Sequence, residues 1–165
     1  MPKHKGPILL DNNAIGDAVD LNKWKALVGA YKHQLHTVRT VSEEAGSYFA
    51  KLSKREELMV SLGNLSVHEV TDADRVGLHL AIPGVTLDAG ERDLWAHARK
   101  RQDAWILCGP DKASVRAAIK LGLQDRLISL EELLTDAGIS TKGLPDSQTK
   151  KWLDQAKNKI LFSSI

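Results

Sequence analysis

The feature that most narrows what this chain can fold into is a run of three apolar residues, Ile8, Leu9 and Leu10. It is led by Gly6-Pro7 and ends abruptly in Asp11-Asn12-Asn13. An apolar run without polar alternation has no solvent face to offer, so it suits a strand buried on both sides in a parallel sheet covered by helices. Asp11 would then stand at the carboxyl end of the strand, on the rim where open α/β sheets bind their ligands. The plainer role for Asp11 is a helix N-cap, a position that favours Asp and Asn. The placement of the other acids decides between the two.

Downstream, Ile15, Val19, Trp24, Leu27, Val28 and Tyr31 recur at helical spacing, with a break expected near Asp20-Leu21-Asn22. Leu35 to Val41 has β-prone residues, and Ser42-Glu43-Glu44 then reads as an N-cap followed by acids in the first turn of a helix. Ser53 to Gly63 has no clear periodicity and is expected to be a helix tail or loop. Leu65 to Val70 alternates apolar and polar residues, as a half-exposed edge strand does. Thr71 opens a helix closed by Pro83-Gly84, and Gly90-Glu91 starts another whose apolar face carries Leu94, Trp95 and Ala98. Trp105 to Cys108 forms a further buried strand, followed by a helix from Asp111 to Gly122. Arg126 to Ile128 is the last strand, with Ser129 to Leu134 as its helix. Strands alternating with helices predict a three-layer α/β/α fold around a central, mainly parallel sheet.

A chain of 165 residues accommodates one domain with a sizeable core. Apolar residues at 42% and charged residues at 27% are those of an ordinary globular protein. No apolar run approaches the roughly 18 residues that a bilayer span needs, and the first six residues carry no apolar signal segment. Cys108 is the only cysteine, which excludes an internal disulfide and a cysteine-built zinc site. A cytoplasmic location is expected. The net charge of +2 does not by itself demand a nucleic-acid partner. The six histidines show no metal-ligand spacing and read as surface or satisfied residues. Neither a Gly-x-Gly-x-x-Gly nor a Gly-Lys-Ser/Thr phosphate loop is present, which disfavours nucleotide-cofactor enzymes. Trp95 and Trp105 fit core faces. After Gly138 the composition shifts to Ser, Thr, Lys, Gly and Pro, and Ser147 to Leu161 reads as a terminal helix made basic by Lys150, Lys151, Lys157 and Lys159.

Asp11, Glu43 or Glu44, and Asp111 each fall just past a strand, and Glu91 falls at a helix start. In a parallel sheet these positions share one edge, so carboxylates distant in sequence should converge. Converging carboxylates raise one another's pKa and cost stability unless neutralised. Hard divalent cations such as Mg²⁺ or Mn²⁺ provide that compensation, and they can activate water and offset phosphoryl charge.

The order and wording of these segments resemble the PIN-domain family of metal-dependent ribonucleases. Leu10-Asp11-Asn12-Asn13 is similar to the family's opening motif, and Thr40-Val-Ser-Glu43-Glu44 to its second. Leu87-Asp-Ala-Gly-Glu91 looks like the Gly-Glu form of the third acidic site, and Asp111-Lys-Ala-Ser-Val-Arg116 resembles the closing segment. The likeness covers about residues 7 to 137. It implies a nuclease domain over residues 1–138, followed by a linker and a basic C-terminal helix over 139–165, packed on the domain or extending from it. It further implies a Mg²⁺- or Mn²⁺-dependent endoribonuclease in which Asp11, Glu43, Glu91 and Asp111 hold the metal and Asn13 orients Asp11 or the scissile phosphate. Glu44 is the alternative second acid. Asn12 stands where Ser or Thr is usual, and Pro110 where a polar residue is frequent. The partners implied are RNA, an antitoxin or another protein, and a second copy of the chain as a homodimer; no membrane is expected. The alternative function is a PIN-like module without cleavage that binds RNA or a protein.

Overall fold

The computed structural model describes residues 4–163. Five strands form one all-parallel sheet: β1 (Ile8–Leu10), β2 (Leu35–Val38), β3 (Ser66–His68), β4 (Ile106–Cys108) and β5 (Leu127–Ile128). Their spatial order is β3-β2-β1-β4-β5. Between β1 and β2 lie α1 (Asn12–Asp20) and α2 (Trp24–Ala30). Between β2 and β3 lie α3 (Arg39–Phe49) and α4 (Arg55–Leu62), and between β3 and β4 lie α5 (Asp72–Ala81) and α6 (Ala89–Ala98). The remaining helices are α7 (Lys112–Leu121), which joins β4 to β5, then α8 (Leu130–Asp136) and α9 (Lys150–Ser163). This is the three-layer α/β/α arrangement that the alternating pattern predicts.

β1 is the central strand. Ile8, Leu9 and Leu10 are fully buried, and full burial of such side chains contributes about 1.5–3 kcal/mol each. β1 pairs with β2 on one side and β4 on the other, with Leu10 beside Cys108. Thr37 Oγ1 donates to the Leu10 carbonyl at 2.9 Å, tying the last residue of β1 to β2. The chain builds outward from β1 to β2 and β3, then crosses back to lay β4 and β5 on the opposite flank. The crevice beyond the ends of β1 and β4 is therefore the topological switch point, where doubly wound sheets bind ligands.

Most element boundaries follow local chemistry. α5, α6 and α8 each open with a capping box, formed by Thr71 and Asp74, Asp88 and Glu91, and Ser129 and Glu132. α7 closes on Gly122 in the left-handed conformation. The break between α1 and α2 falls where expected, with Asn22 at φ 59°. Three boundaries differ from the expectation. β2 ends at Val38 and α3 already starts at Arg39, so Ser42 lies inside the helix rather than capping it. Residues 55–62 are a helix rather than a tail or loop; only Leu62 of it is buried, which explains the missing periodic signal. The terminal helix starts at Lys150, because Asp146–Gln148 form a separate 3₁₀ turn and Thr149 Oγ1 accepts from the Trp152 amide at 3.2 Å. α9 packs on α7 and α8 through buried Leu153 and Ala156.

The fold also gathers three histidines that sequence spacing kept apart. His68 lies between His36 and His97, with ring centroids 5.1 and 4.2 Å away, and Arg101 approaches His97 Nε2 at 2.9 Å. Burial first, then His68 and Arg101, push His97 down to about 4. These rings satisfy one another, in keeping with the sequence reading.

Gly109 makes the turn from β4 toward α7. It has φ +81°, and a Cβ there would lie 2.6 Å from Ala14 Cβ on α1. Gly109→Ala should therefore lose at least the 1–2 kcal/mol or so of a left-handed L-residue, with the clash added. Urea denaturation reads this directly, and a variant as stable as the parent would contradict the close approach of α1 to this turn.

Candidate functional site

Parallel pairing brings the ends of β1 and β4 together, and the Asp11 amide donates to the Cys108 carbonyl at 3.4 Å. Asp11 is 3% exposed. It occupies the N-cap position of α1, yet its side chain closes no capping hydrogen bond. Its Oδ2 is buried without a partner. Burial first, and then the charges of Asp111 and Asp88, push its carboxyl up from 3.8 to about 7; the nearby amides of Asn12 and Asn13 offset only part of this. The structure thus separates the two roles weighed for Asp11: the residue is at a cap position and its carboxylate is not used as a cap.

Glu91 and Asp111 are brought together from α6 and the start of α7. Glu91 is buried, and its Oε2 accepts from the Asp88 amide at 3.2 Å as the returning half of the capping box. It also shares a hydrogen bond with Asp111. Burial, that hydrogen bond and the charges of Asp111 and Asp88 hold its pKa well above the usual carboxylate range. Asp111 additionally caps α7, accepting from the Ser114 amide at 2.9 Å, while Ser114 Oγ accepts from Trp95 Nε1 at 3.1 Å. For Glu91 and Asp111 the capping role is real and coexists with membership of the acidic cluster.

Of the two candidates for the second acid, Glu43 is exposed and Glu44 is the one that lies against the start of α6. Successive helical residues are about 100° apart, and the buried stripe of α3 runs through Val41, Ala45 and Phe49. Glu43 falls opposite that stripe and is exposed, beside Arg39, Ser42 and Met59. Glu44 flanks the stripe and faces the start of α6; its two carboxylate oxygens lie 2.9 and 3.1 Å from where a Cβ on Gly90 would stand. Burial, followed by Asp88 and Asp93, raises its pKa. Gly90 is thus the residue whose missing side chain leaves room for Glu44. Asn13 is exposed and shares a cleft with Asp17, Pro110 and Asp111.

Two acids escaped the sequence reading. Asp88 is exposed and interacts with Asp11, Glu44 and Glu91, so it joins the members of the edge. Its signal was present as the Asp-x-x-Glu spacing of a capping box over 88–91. Asp93 is 1% exposed and plays a different part: Arg75 Nε at 2.8 Å, Arg92 Nε at 2.9 Å and Thr40 Oγ1 at 2.5 Å converge on it. Burial alone would raise its pKa, but these hydrogen bonds overcome it and hold Asp93 at about 2. It pins α3 and α5 to α6, and no sequence pattern indicates which arginines it meets.

Among the described residues, no three acid, histidine or cysteine side chains are grouped as the ligands of a metal ion. The donor set nevertheless suits a hard cation. Asp11 Oδ2 is a buried oxygen without a hydrogen-bond partner, and burial, then the neighbouring charges of Asp111 and Asp88, raise the pKa of its carboxyl. No protein-family model matches the chain, and neither does any curated protein or solved structure.

The electrostatics give a pH prediction. A carboxyl that ionises at about 7 when folded and near 3.8 when unfolded contributes stability that is complete below pH 4 and is lost as pH rises through 7. By pH 8 the loss is on the order of 4 kcal/mol. In EDTA, Asp11→Asn should therefore match the parent near pH 4 and exceed it in stability at pH 8. A variant less stable than the parent at both pH values would show that the carboxylate supports the start of α1 after all.

Proposed function

We propose that this chain is a Mg²⁺- or Mn²⁺-dependent endoribonuclease that hydrolyses RNA phosphodiester bonds. The observation that carries the reading is the buried, unpartnered Asp11 carboxylate at the switch point, surrounded by further acids. Uncompensated negative charge at a ligand-binding edge has no structural benefit, and a cation converts it into one. Support comes also from the order of the four acidic motifs along the sequence. Asp11, Glu91 and Asp111 would hold the cation, with Glu44 and Asp88 at its margin. When bound, the cation lowers the pKa of a water molecule and offsets charge on the phosphoryl group.

The protein's own groups set up the rest. The Thr37–Leu10 hydrogen bond and the β1–β4 pairing hold Asp11 at a fixed place, so little reorganisation accompanies cation binding. The Asp88 and Ser114 amides orient Glu91 and Asp111 from the rear. Loss of the Glu91 proton would free its carboxylate for the cation. The exposed Asn13 amide can donate to a phosphate oxygen on the solvent side. A second reading, a module that binds RNA or protein without cleaving, is favoured by the Glu91–Asp111 hydrogen bond and by the lack of three grouped ligands.

Incubation of labelled RNA with the purified chain separates the two. Cleavage should appear with Mn²⁺ or Mg²⁺, leave 5′-phosphate and 3′-hydroxyl ends, and vanish with EDTA. Asp11→Asn should lower the rate roughly 10²-fold or more, because a metal centre supplies several kcal/mol of charge stabilisation. Intact RNA under all metal conditions supports the binding module, and cleavage that survives EDTA removes the acids from the chemistry.

The second acid has its own test. Glu44→Gln should lower cleavage and weaken Mn²⁺ affinity, while Glu43→Gln should leave both within about twofold, as expected of an exposed side chain. The reverse pattern would place the pocket on the other face of α3.

A further inference from the structure

Charge is spread unevenly over this fold. α7 and α9 pack against each other, and together they carry seven Lys and Arg residues against one acid, Asp154. Their joint charge of +6 exceeds the +2 of the whole chain, so the remainder is net −4. The acidic edge and the cationic helices are contiguous, because α7 begins at Lys112, directly after its N-cap Asp111.

Lys112, Arg116 and Lys120 recur every fourth residue and so form one stripe along α7, with about 6 Å of rise between neighbours and about 12 Å in all. All three are exposed, while another face of the helix buries Ser114, Val115, Ala117 and Ala118. α7 contains no acid to offset them, and among the described residues none of the three enters an ion pair. Elsewhere cations are matched: Arg75 and Arg92 meet Asp93, Lys100 meets Asp74, and Arg101 meets Asp103. On the neighbouring α9, Lys150 is paired with Asp154, but Lys151 and Lys159 are exposed and unmatched. Like charges four residues apart destabilise a helix, and a polyanion laid along the stripe reverses the sign of that contribution.

We infer that the outer face of α7 is a track for the phosphate backbone of single-stranded RNA leading away from the acidic edge, with Lys112, Arg116 and Lys120 each meeting a phosphate. The inference rests on the ribonuclease reading for where that strand is cut. Acids alone repel a polyanion, and a cation held among them offsets the repulsion only locally. Fixed positive charges that start beside Asp111 hold the flanking phosphates within reach of the edge. The rise between stripe residues is comparable to the separation of neighbouring phosphates in one extended strand. Contacts of this kind position the strand without reading its bases. α7 exposes no large apolar side chain, which a helix lying on a lipid surface presents, and this favours a nucleic acid over a membrane.

The experiment measures binding of end-labelled dodecauridylate to the full chain by fluorescence anisotropy in Ca²⁺, over NaCl from about 50 to 200 mM, with intactness of the RNA checked on a gel. The triple variant Lys112→Gln, Arg116→Gln, Lys120→Gln should bind roughly tenfold or more weakly at the lowest salt, and its slope of log affinity against log salt should be shallower by about 2, the counterions of three phosphate contacts on a single strand. The charge-preserving triple variant Lys112→Arg, Arg116→Lys, Lys120→Arg should keep both. Lys32→Gln, Lys51→Gln, Lys54→Gln removes the same charge from exposed positions before β2 and after α3, at the opposite edge of the sheet, and should leave the slope unchanged. All six positions are exposed, so each variant should fold as the parent does, which thermal melting checks. No binding by the parent, an unchanged slope in the first variant, loss of binding in the charge-preserving one, or an equal loss in the variant at the opposite edge overturns the track. Capture of the chain by phosphatidylserine vesicles but not by RNA overturns it in favour of a membrane surface. The expected binding pattern without metal-dependent cleavage would sink the ribonuclease reading and leave the track standing. Metal-dependent cleavage with unaltered binding in the first variant would do the reverse.

Discussion

The pairing of β1 with β2 on one side and β4 on the other is the constraint on which the rest of the structure depends. A strand buried on both faces and both edges cannot slip by one residue without carrying a charged side chain into the core. Its end is therefore a fixed point, and Asp11 inherits that rigidity. The same pairing makes the gap beyond β1 and β4 the place where the chain reverses its direction of growth across the sheet. Helices diverge there and leave a crevice.

Rigidity explains how the fold holds an arrangement that opposes its stability. Asp11, Asp88, Glu91, Asp111 and Glu44 would relax apart if their backbones were free. They are held by cap hydrogen bonds to α6 and α7, by close packing at Gly109 and Gly90, and by the Thr37–Leu10 hydrogen bond. Protonation relieves the tension at Asp11 and at Glu91, which is why the pKa values of these two rise. The contrast with Asp93 is instructive. It is equally buried, but two guanidinium groups and a hydroxyl meet it, so its pKa falls and it acts as a structural pin. Burial raises a carboxyl's pKa only where nothing compensates it, and that distinction separates the poised acids from the structural one.

The C-terminal segment adds a second layer to the same edge. Leu153 and Ala156 seat α9 on the domain, and that seating carries Gln148 and Trp152 to the mouth of the crevice. A sequence of Ser, Thr, Lys, Gly and Pro looked like a linker because its anchoring contacts are few and nonperiodic. Its packing is visible only in the folded chain.

By itself the sequence determined the alternation of strands and helices, the parallel sheet, the edge position of β3 and the placement of Asp11, Glu91 and Asp111 on one rim. All of these follow from local periodicity, capping chemistry and the geometry of parallel strands. Tertiary structure alone decided that Glu44 rather than Glu43 faces the site, because the choice depends on which stripe of α3 packs inward. It alone decided that Asp88 joins the acids, that Asp93 meets Arg75 and Arg92, and that Gln148 hydrogen-bonds Asp17 from 131 residues away. Contacts between side chains distant in sequence leave no periodic trace, since nothing in the local spacing records which faces will meet.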